Sequence, residues 1–296
     1  MRYLSRRRLF MALLGLPAVF YVIVIAVWPM AQGIWFSLFE YNLIRPHRTE
    51  FIGFANYVRL FDDPTAVRAI LNTFFFTFVA VAIEFVLGLG IALLLWRDDA
   101  FNRLMLALIL VPLSITPLAV GLIFNALLQA EFGLVGYALA QLNLTDPGGM
   151  FATAGGAMTA LIVIDVWQWT PLMALILLAG LKALPGDVLE AASVDGATAL
   201  QRLLHVVMPL LLPAIFLALI LRTMDAFRVF DSVFVTTKGG PGDSTNVLMY
   251  FAVKEGLEFF NVGYASAISN LMLVCIGVFA VLFIMFIRRA DQQANT

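Results

Sequence analysis

The sequence predicts an all-α, polytopic membrane protein with six transmembrane helices. Three observations carry that prediction. Of 296 residues, 62% are hydrophobic and only 12% charged, with a mean hydropathy of +0.96, whereas a soluble domain carries about 25% charged residues. The apolar runs recur at lengths that cross a hydrocarbon core as helices. Basic residues crowd into short loops on one side of those runs, the pattern that orients spans in a bilayer. The net charge of −1 argues against a nucleic-acid partner. The single cysteine, Cys275, lies within an apolar run and excludes a disulfide inside the chain. With His47 and His205 as the two histidines, no metal site is predicted.

The first span runs from about Phe10 to Trp28 or slightly beyond. Arg6-Arg7-Arg8 before it imitates a secretion signal. The apolar run is too long for one and no small-residue cleavage site closes it, so an uncleaved anchoring helix is expected. A polar stretch from Arg45 to Arg68 precedes the second span, about Leu71–Leu95, and a charged turn from Arg97 to Arg103 leads to the third, about Leu104–Leu127. Pro112, Ser114, Thr116 and Pro117 interrupt this span. Prolines free backbone carbonyls that need partners or water, giving either a kink or a polar notch. The fourth span is about Met158–Leu181, the fifth about Met208–Phe227 and the sixth about Gly263–Phe286. The whole reads as a single transmembrane domain over residues 1–296. Arg2, Arg6, Arg7, Arg8, Arg97, Arg103, Lys182, Arg202, Arg288 and Arg289 fall on the densely basic side, which is placed in the cytoplasm together with both termini. Arg45, Arg48, Arg59, Arg68, Arg228, Lys238 and Lys254 fall on the other side, in longer loops.

Four ionisable residues lie at membrane depth: Glu84, Asp165, Arg222 and Asp225. Such groups are costly in lipid and face a protein interior or a wet path. Arg222, Asp225 and Arg228 are spaced i, i+3, i+6, so neighbours can form ion pairs. Asp165, Gln168, Trp169 and Leu172 share one face of the fourth span. Polar groups beside a flat aromatic ring suit a sugar, whose hydroxyls need hydrogen bonds and whose ring has an apolar face. A buried ion pair holding helices together is an equally weighted reading, and the two are compatible. Gly88, one turn after Glu84, and Gly90 nearby would let a neighbouring helix approach, which favours a structural role for Glu84. The chain has no phosphate-binding loop of the GxxxxGKS/T type, and the glycine-rich run from Gly239 lacks its lysine. No serine and histidine meet at membrane depth, so no catalytic residue is predicted. Any use of ATP must come from a partner.

The stretch LPGDVLEAASVDGATALQRLLHVVMPLLLP, Leu184 to Pro213, is the longest amphipathic segment. It predicts a helix–turn–helix at the membrane surface, with Leu184, Val188, Ala191 and Ala192 on one face. Pro185 suits a first turn, Asp187 the positive end of the helix dipole, and Gly196 the left-handed position past a helix C-terminus. Ala197 to Val206 restart a helix that Pro209 and Pro213 should bend or end. Glu190-Ala191-Ala192, then Asp195-Gly196-Ala197, then the proline-bearing start of the next span resemble the EAA loop of membrane subunits of ABC importers. Gly53, Asn56-Tyr57, Leu60-Phe61 and Asp63-Pro64 are similar to the outer loop of the carbohydrate (maltose, trehalose and glycerol-phosphate) group. The block from Val166-Trp167 to Gly180-Leu181, and Arg222 to Asp231, resemble the same group.

The resemblance implies a type I ABC importer permease fold in the bacterial inner membrane. It implies half of a translocation pathway for a sugar, with four kinds of partner: a second homologous permease, two copies of a cytoplasmic ATPase, an external solute-binding protein and the lipid bilayer. No cofactor belongs to this chain, since ATP and magnesium sit on the ATPase. Residues 184–208 become a cytoplasmic coupling loop in which Glu190 pairs with a basic residue of the ATPase and Gly196 permits the turn, with Ala191, Ala192, Asp195, Ala197 and Arg202 beside them. By position, the pathway falls on Leu113, Pro117, Asp165, Gln168, Trp169, Leu172, Arg222, Asp225 and Arg228. Where the maltose-type pattern has neutral amides, this chain has Asp165 and charged fifth-span residues. An acidic or substituted sugar would suit an arginine there, unless Asp225 already neutralises it. The alternative is a proton-coupled secondary transporter with Glu84, Asp165 and Asp225 as relays.

Overall fold

The computed structural model describes residues 15–146 and 148–294, with side chains as far as Met285. Arg2, the Arg6–Arg8 cluster and the expected start of the first span at Phe10 lie outside the described residues, as do the side chains of Arg288 and Arg289. The chain folds into two compact units.

The first unit comprises Met1–Asp63 and Phe251–Leu271. Its first helix, α1 (Gly15–Phe36), continues past Trp28 and contains a π turn at Ile23–Val27. The π turn sits just before Pro29. A proline ring clashes with the carbonyl four residues back, and widening the preceding turn lets the helix pass through it. A two-stranded antiparallel pair follows, β1 (Phe39–Glu40) with β2 (Glu50–Phe51), pairing Phe39 with Phe51 and Glu40 with Glu50. The short amphipathic α2 (Ala55–Asp62) buries Asn56 and Leu60.

The second unit comprises Pro64–Tyr250 and Met272–Thr296. The second span, α3 (Pro64–Leu94), starts seven residues before the expected Leu71, with Pro64 in its first turn where a missing N–H costs nothing. The expected third span is not one helix. It is α4 (Ala100–Ile109), a 3-10 turn at Val111–Ser114, and α5 (Pro117–Leu127). Residues before proline avoid the helical region, and Ile115 and Thr116 are extended, with ψ of 136° and 142°. Helix α6 (Leu134–Gln141) precedes α7 (Ala154–Lys182), the fourth span. The amphipathic segment forms α8 (Gly186–Val194) and α9 (Ala199–Arg202), and a π turn at Leu203–Val207 leads into α10 (Met208–Ala226). Pro209, expected to bend or end this helix, is accommodated as Pro29 is, directly after a π turn. Pro213 lies inside α10 without ending it. After α11 (Asp231–Val235), α12 (Leu248–Val253) and α13 (Val262–Ala294) each run from one unit's residues into the other's.

Among the described residues, five helical stretches are long and apolar enough to span a membrane: α1, α3, α7, a stretch within Ala199–Val235, and Val262–Met285. The remaining predicted span, the third, is the broken α4–α5. Helix α7 is central to the second unit, since 61% of its most apolar window is buried, against 33% for α3 and 11% for Val262–Met285. The core joins Phe76 and Ala80 of α3, Leu161, Met173 and Leu177 of α7, and Leu211 and Ala218 of α10. Gly88 lets α3 and α7 meet as expected: a Cβ there would lie 2.7 Å from Met173 Cγ and 3.0 Å from the Ala174 nitrogen. Gly90, expected to share that role, has nothing within 4 Å. Gly88→Ala should therefore destabilise the chain by about 1–3 kcal/mol through overpacking, while Gly90→Ala leaves it unchanged or slightly firmer. Thermal unfolding of the two variants in detergent checks the contrast.

Candidate coupling surface and buried charge centre

The helix–turn–helix is closed by its own backbone. Asp187 lies in the first turn of α8, and Pro185 is its N-cap, one place ahead of the expected first turn. At the other end the Ala197 N–H donates to the Ala192 carbonyl at 3.1 Å, and the Gly196 N–H to Ser193 at 3.2 Å. This double closure needs a left-handed residue, and Gly196 supplies it at φ +78°. Thr198 then opens α9 with a reciprocal cap: its hydroxyl accepts from the Gln201 N–H at 3.3 Å, and its own N–H donates to Gln201 Oε1 at 2.8 Å. Arg202 Nη1 donates to Ser193 Oγ at 2.6 Å, tying the two helices together. Glu190, Ala191, Asp195 and Gly196 are exposed; Ala192, Ala197 and Arg202 are half-buried. The buried side of α8 runs through Leu184 and Leu189, which pack on the core. Val188 and Ala191, expected on that side, are exposed.

Among the described residues Arg222 is the largest fully buried side chain, at 0% exposure. Its Nε and Nη2 grip both oxygens of Glu84 at 2.7 and 2.8 Å, Nη2 also donates to Asp165 Oδ2 at 2.7 Å, and Nη1 to Asp225 Oδ2 at 2.8 Å. One guanidinium thus joins α3, α7 and α10. The bidentate grip is the strongest form of such a bond. Its face lies 5.0 Å from the centre of the Trp169 ring. Glu84 and Asp165 are buried, while Asp225 is half-exposed and also lies 3.8 Å from the exposed Arg228.

Pro117, Asp165, Gln168, Trp169, Asp225 and Arg228 line one small cleft. Leu113, Leu172 and Arg222, expected with them, do not line it. Gln168 is partly committed elsewhere, donating to the Ile115 carbonyl at 3.0 Å and so satisfying an acceptor freed by the break before Pro117. Sequence reasoning paired Arg222 with Asp225 and missed Glu84, its bidentate partner, and Asp165. The available signal was the excess of buried acids over buried bases. Asp231 and Ser232 also reach the cleft and were not singled out.

With this geometry in hand, the comparisons define the class. Residues 84–294 match the family described as "Binding-protein-dependent transport system inner membrane component", and the chain belongs to that family. It is 37% identical to the trehalose transport system permease protein SugA of Mycobacterium tuberculosis, over 96% of this chain and 89% of that one. It is 34% identical to the sulfoquinovosyl glycerol transport system permease protein SmoG of Agrobacterium fabrum, over 96% and 92%. The trehalose/maltose transport system permease protein MalF of Thermococcus litoralis is also 34% identical, over 92% and 91%. In fold, the chain matches a bacterial ABC transporter involved in import of the acidic polysaccharide alginate, with a TM-score of 0.81 at 20% identity over 97% of this chain and 98% of the other. The methionine transporter MetNI matches with a TM-score of 0.58 at 18% identity, over 76% and 96%. The expected type I ABC importer permease fold is therefore the fold found. The proton-coupled alternative finds no support.

Removing one partner of a buried ionic cluster costs about 3–5 kcal/mol, because the others are left uncompensated. Arg222→Met should lower stability by that amount, whereas Arg228→Gln, at the surface, should change it by less than about 0.5 kcal/mol. Unfolding of each variant in detergent reads the difference directly.

Proposed function

We propose that the chain is the membrane-spanning permease of an ATP-driven, binding-protein-dependent sugar importer, forming half of its translocation pathway. The observation that carries this reading is the capped, exposed helix–turn–helix of α8 and α9, in a chain whose named relatives serve trehalose, maltose and sulfoquinovosyl glycerol. Glu190 and Asp195 present carboxylates from a backbone that needs no further ordering. One of two copies of a cytoplasmic ATPase, holding ATP and magnesium, would grip this surface through Glu190, Ala191, Ala192, Asp195, Gly196, Ala197 and Arg202. A second homologous permease completes the pathway, and an external solute-binding protein delivers the sugar. Both termini and residues 184–208 face the cytoplasm, as the distribution of basic residues favours.

Coupling follows from connectivity. The α8–α9 unit sits in the chain between α7 and α10, and Arg222 joins both to α3. A displacement of α8–α9 therefore moves helices clamped at the cleft as a rigid group. In the cleft, the carboxylates of Asp165 and Asp225 accept from sugar hydroxyls, and Trp169 offers an aromatic face. Arg222 is neutralised by three carboxylates, so Arg228 is the cation left to meet an acidic substituent.

Gly196→Asp tests the coupling role. A Cβ in the left-handed conformation costs about 1–2 kcal/mol, and nothing lies within 4 Å of that position, so the damage is confined to the turn. The variant should insert normally yet lose ATPase retention and ATP-dependent sugar uptake in proteoliposomes, while Gly186→Ala retains both. Normal uptake by Gly196→Asp would contradict the coupling role.

A further inference from the structure

The first unit carries a second polar site, remote in sequence from the coupling surface and the charge centre. A cavity of about 420 Å³ lies where the chain leaves α1 and where it enters α13, and its wall includes Arg45, Arg48, Arg59 and Glu40. Its frame is built. The Leu43 N–H donates to the Phe260 carbonyl and the Gly263 N–H to Tyr41, both at 3.0 Å. Asn42 Nδ2 donates to Asn261 Oδ1 at 2.7 Å, and Asn261 Nδ2 to Glu255 Oε2 at 2.9 Å. Arg59 is set from behind, its guanidinium carbon 4.0 Å over the Tyr264 ring, whose hydroxyl donates to Asp63 Oδ2 at 3.1 Å. Among the described residues none of the three arginines forms an ion pair. Among the residues that line the cavity, three guanidinium groups face one carboxylate, Glu40, while Glu255 and Asp63 stand behind it, bonded to Asn261 and Tyr264.

Beside this wall α2 shows an uncovered apolar face. Phe54, Val58 and Phe61, spaced i, i+4, i+7, are 74%, 59% and 65% exposed, whereas Asn56 and Leu60 on the other side of the helix are buried. An amphipathic helix with an exposed apolar face beside arginines, at the ends of spanning helices, is the arrangement of a segment lying at headgroup level. Arginine's planar fork matches phosphate.

We propose that the cavity walled by Arg45, Arg48 and Arg59 binds the phosphate of an anionic phospholipid, whose acyl chains lie against Phe54, Val58 and Phe61. Positive charge at the wall disfavours a choline headgroup and selects one without a cation. The site requires membrane embedding alone and does not depend on which solute is carried.

The test uses the full chain in phosphatidylcholine nanodiscs with and without phosphatidylglycerol, and native mass spectrometry of the lipid it retains. A basic residue facing anionic lipid contributes a factor of about five. Arg45→Gln with Arg48→Gln should therefore weaken phosphatidylglycerol retention about twenty-fivefold, while phosphatidylcholine retention is unchanged. Phe54→Ser with Phe61→Ser should also weaken it, and inorganic phosphate should compete poorly against the wild type. Equal phosphatidylglycerol retention by the wild type and the double arginine variant would overturn the proposal. So would displacement by inorganic phosphate with no effect of the phenylalanine changes, which would make the occupant a free anion.

Discussion

The second unit depends on the burial of one guanidinium. Arg222 is fully sequestered from solvent among α3, α7 and α10, and a lone cation there would be prohibitively costly. Its geometry removes that cost: every N–H-bearing nitrogen donates to a carboxylate between 2.7 and 2.8 Å. The acids depend on it in turn, since Glu84 is fully buried and Asp165 nearly so. The cluster therefore holds three helices in one relative placement. Leucines could fill the same volume, but they would not demand the same register. Asp225, the member that is half-exposed, connects this clamp to the cleft.

A second constraint is the bilayer's intolerance of free backbone groups. The chain meets it differently at each proline. Pro29 and Pro209 each follow a π turn, so their helices continue. Pro112 and Pro117 act together and break the third span, and the Ile115 carbonyl set free there is met by Gln168 from α7. The interruption is thus paired with a polar side chain from the central helix, which places polar groups beside the cleft without leaving an acceptor in lipid.

Much of this was legible in the sequence because it is local. Apart from the broken third, the apolar runs located the spans to within several residues, and the seven-residue stripe Arg222–Asp225–Arg228 named two real contacts. Gly196 was readable because a single backbone angle requires it, and Gly88 because it follows a buried acid by one turn. What escaped is non-local. The grip of Glu84 on Arg222 joins residues far apart in sequence, and no periodicity encodes it. The apolar face read through α8 was half right: Leu184 and Ala192 are part-buried, Val188 and Ala191 are exposed, and Leu189 carries the packing within the helix. Pro209 was read as a stop because the rule for prolines presumes an ideal turn before them, and a π turn removes that premise. The contact of Gln168 with the Ile115 carbonyl also escaped: a freed carbonyl was predicted in the third span, but no sequence rule joins it to a side chain of the fourth.

The central proposal is that this chain moves solute only as part of an ATP-driven assembly, clamped at Arg222 and driven through α8 and α9. The most direct measurement is gentle purification of the chain from its native membrane, identification of what accompanies it, and transport by the recovered complex. The account predicts a cytoplasmic ATPase and a second permease, with uptake that requires ATP. Recovery of this chain alone, transporting solute without ATP and failing when the proton gradient collapses, would contradict it.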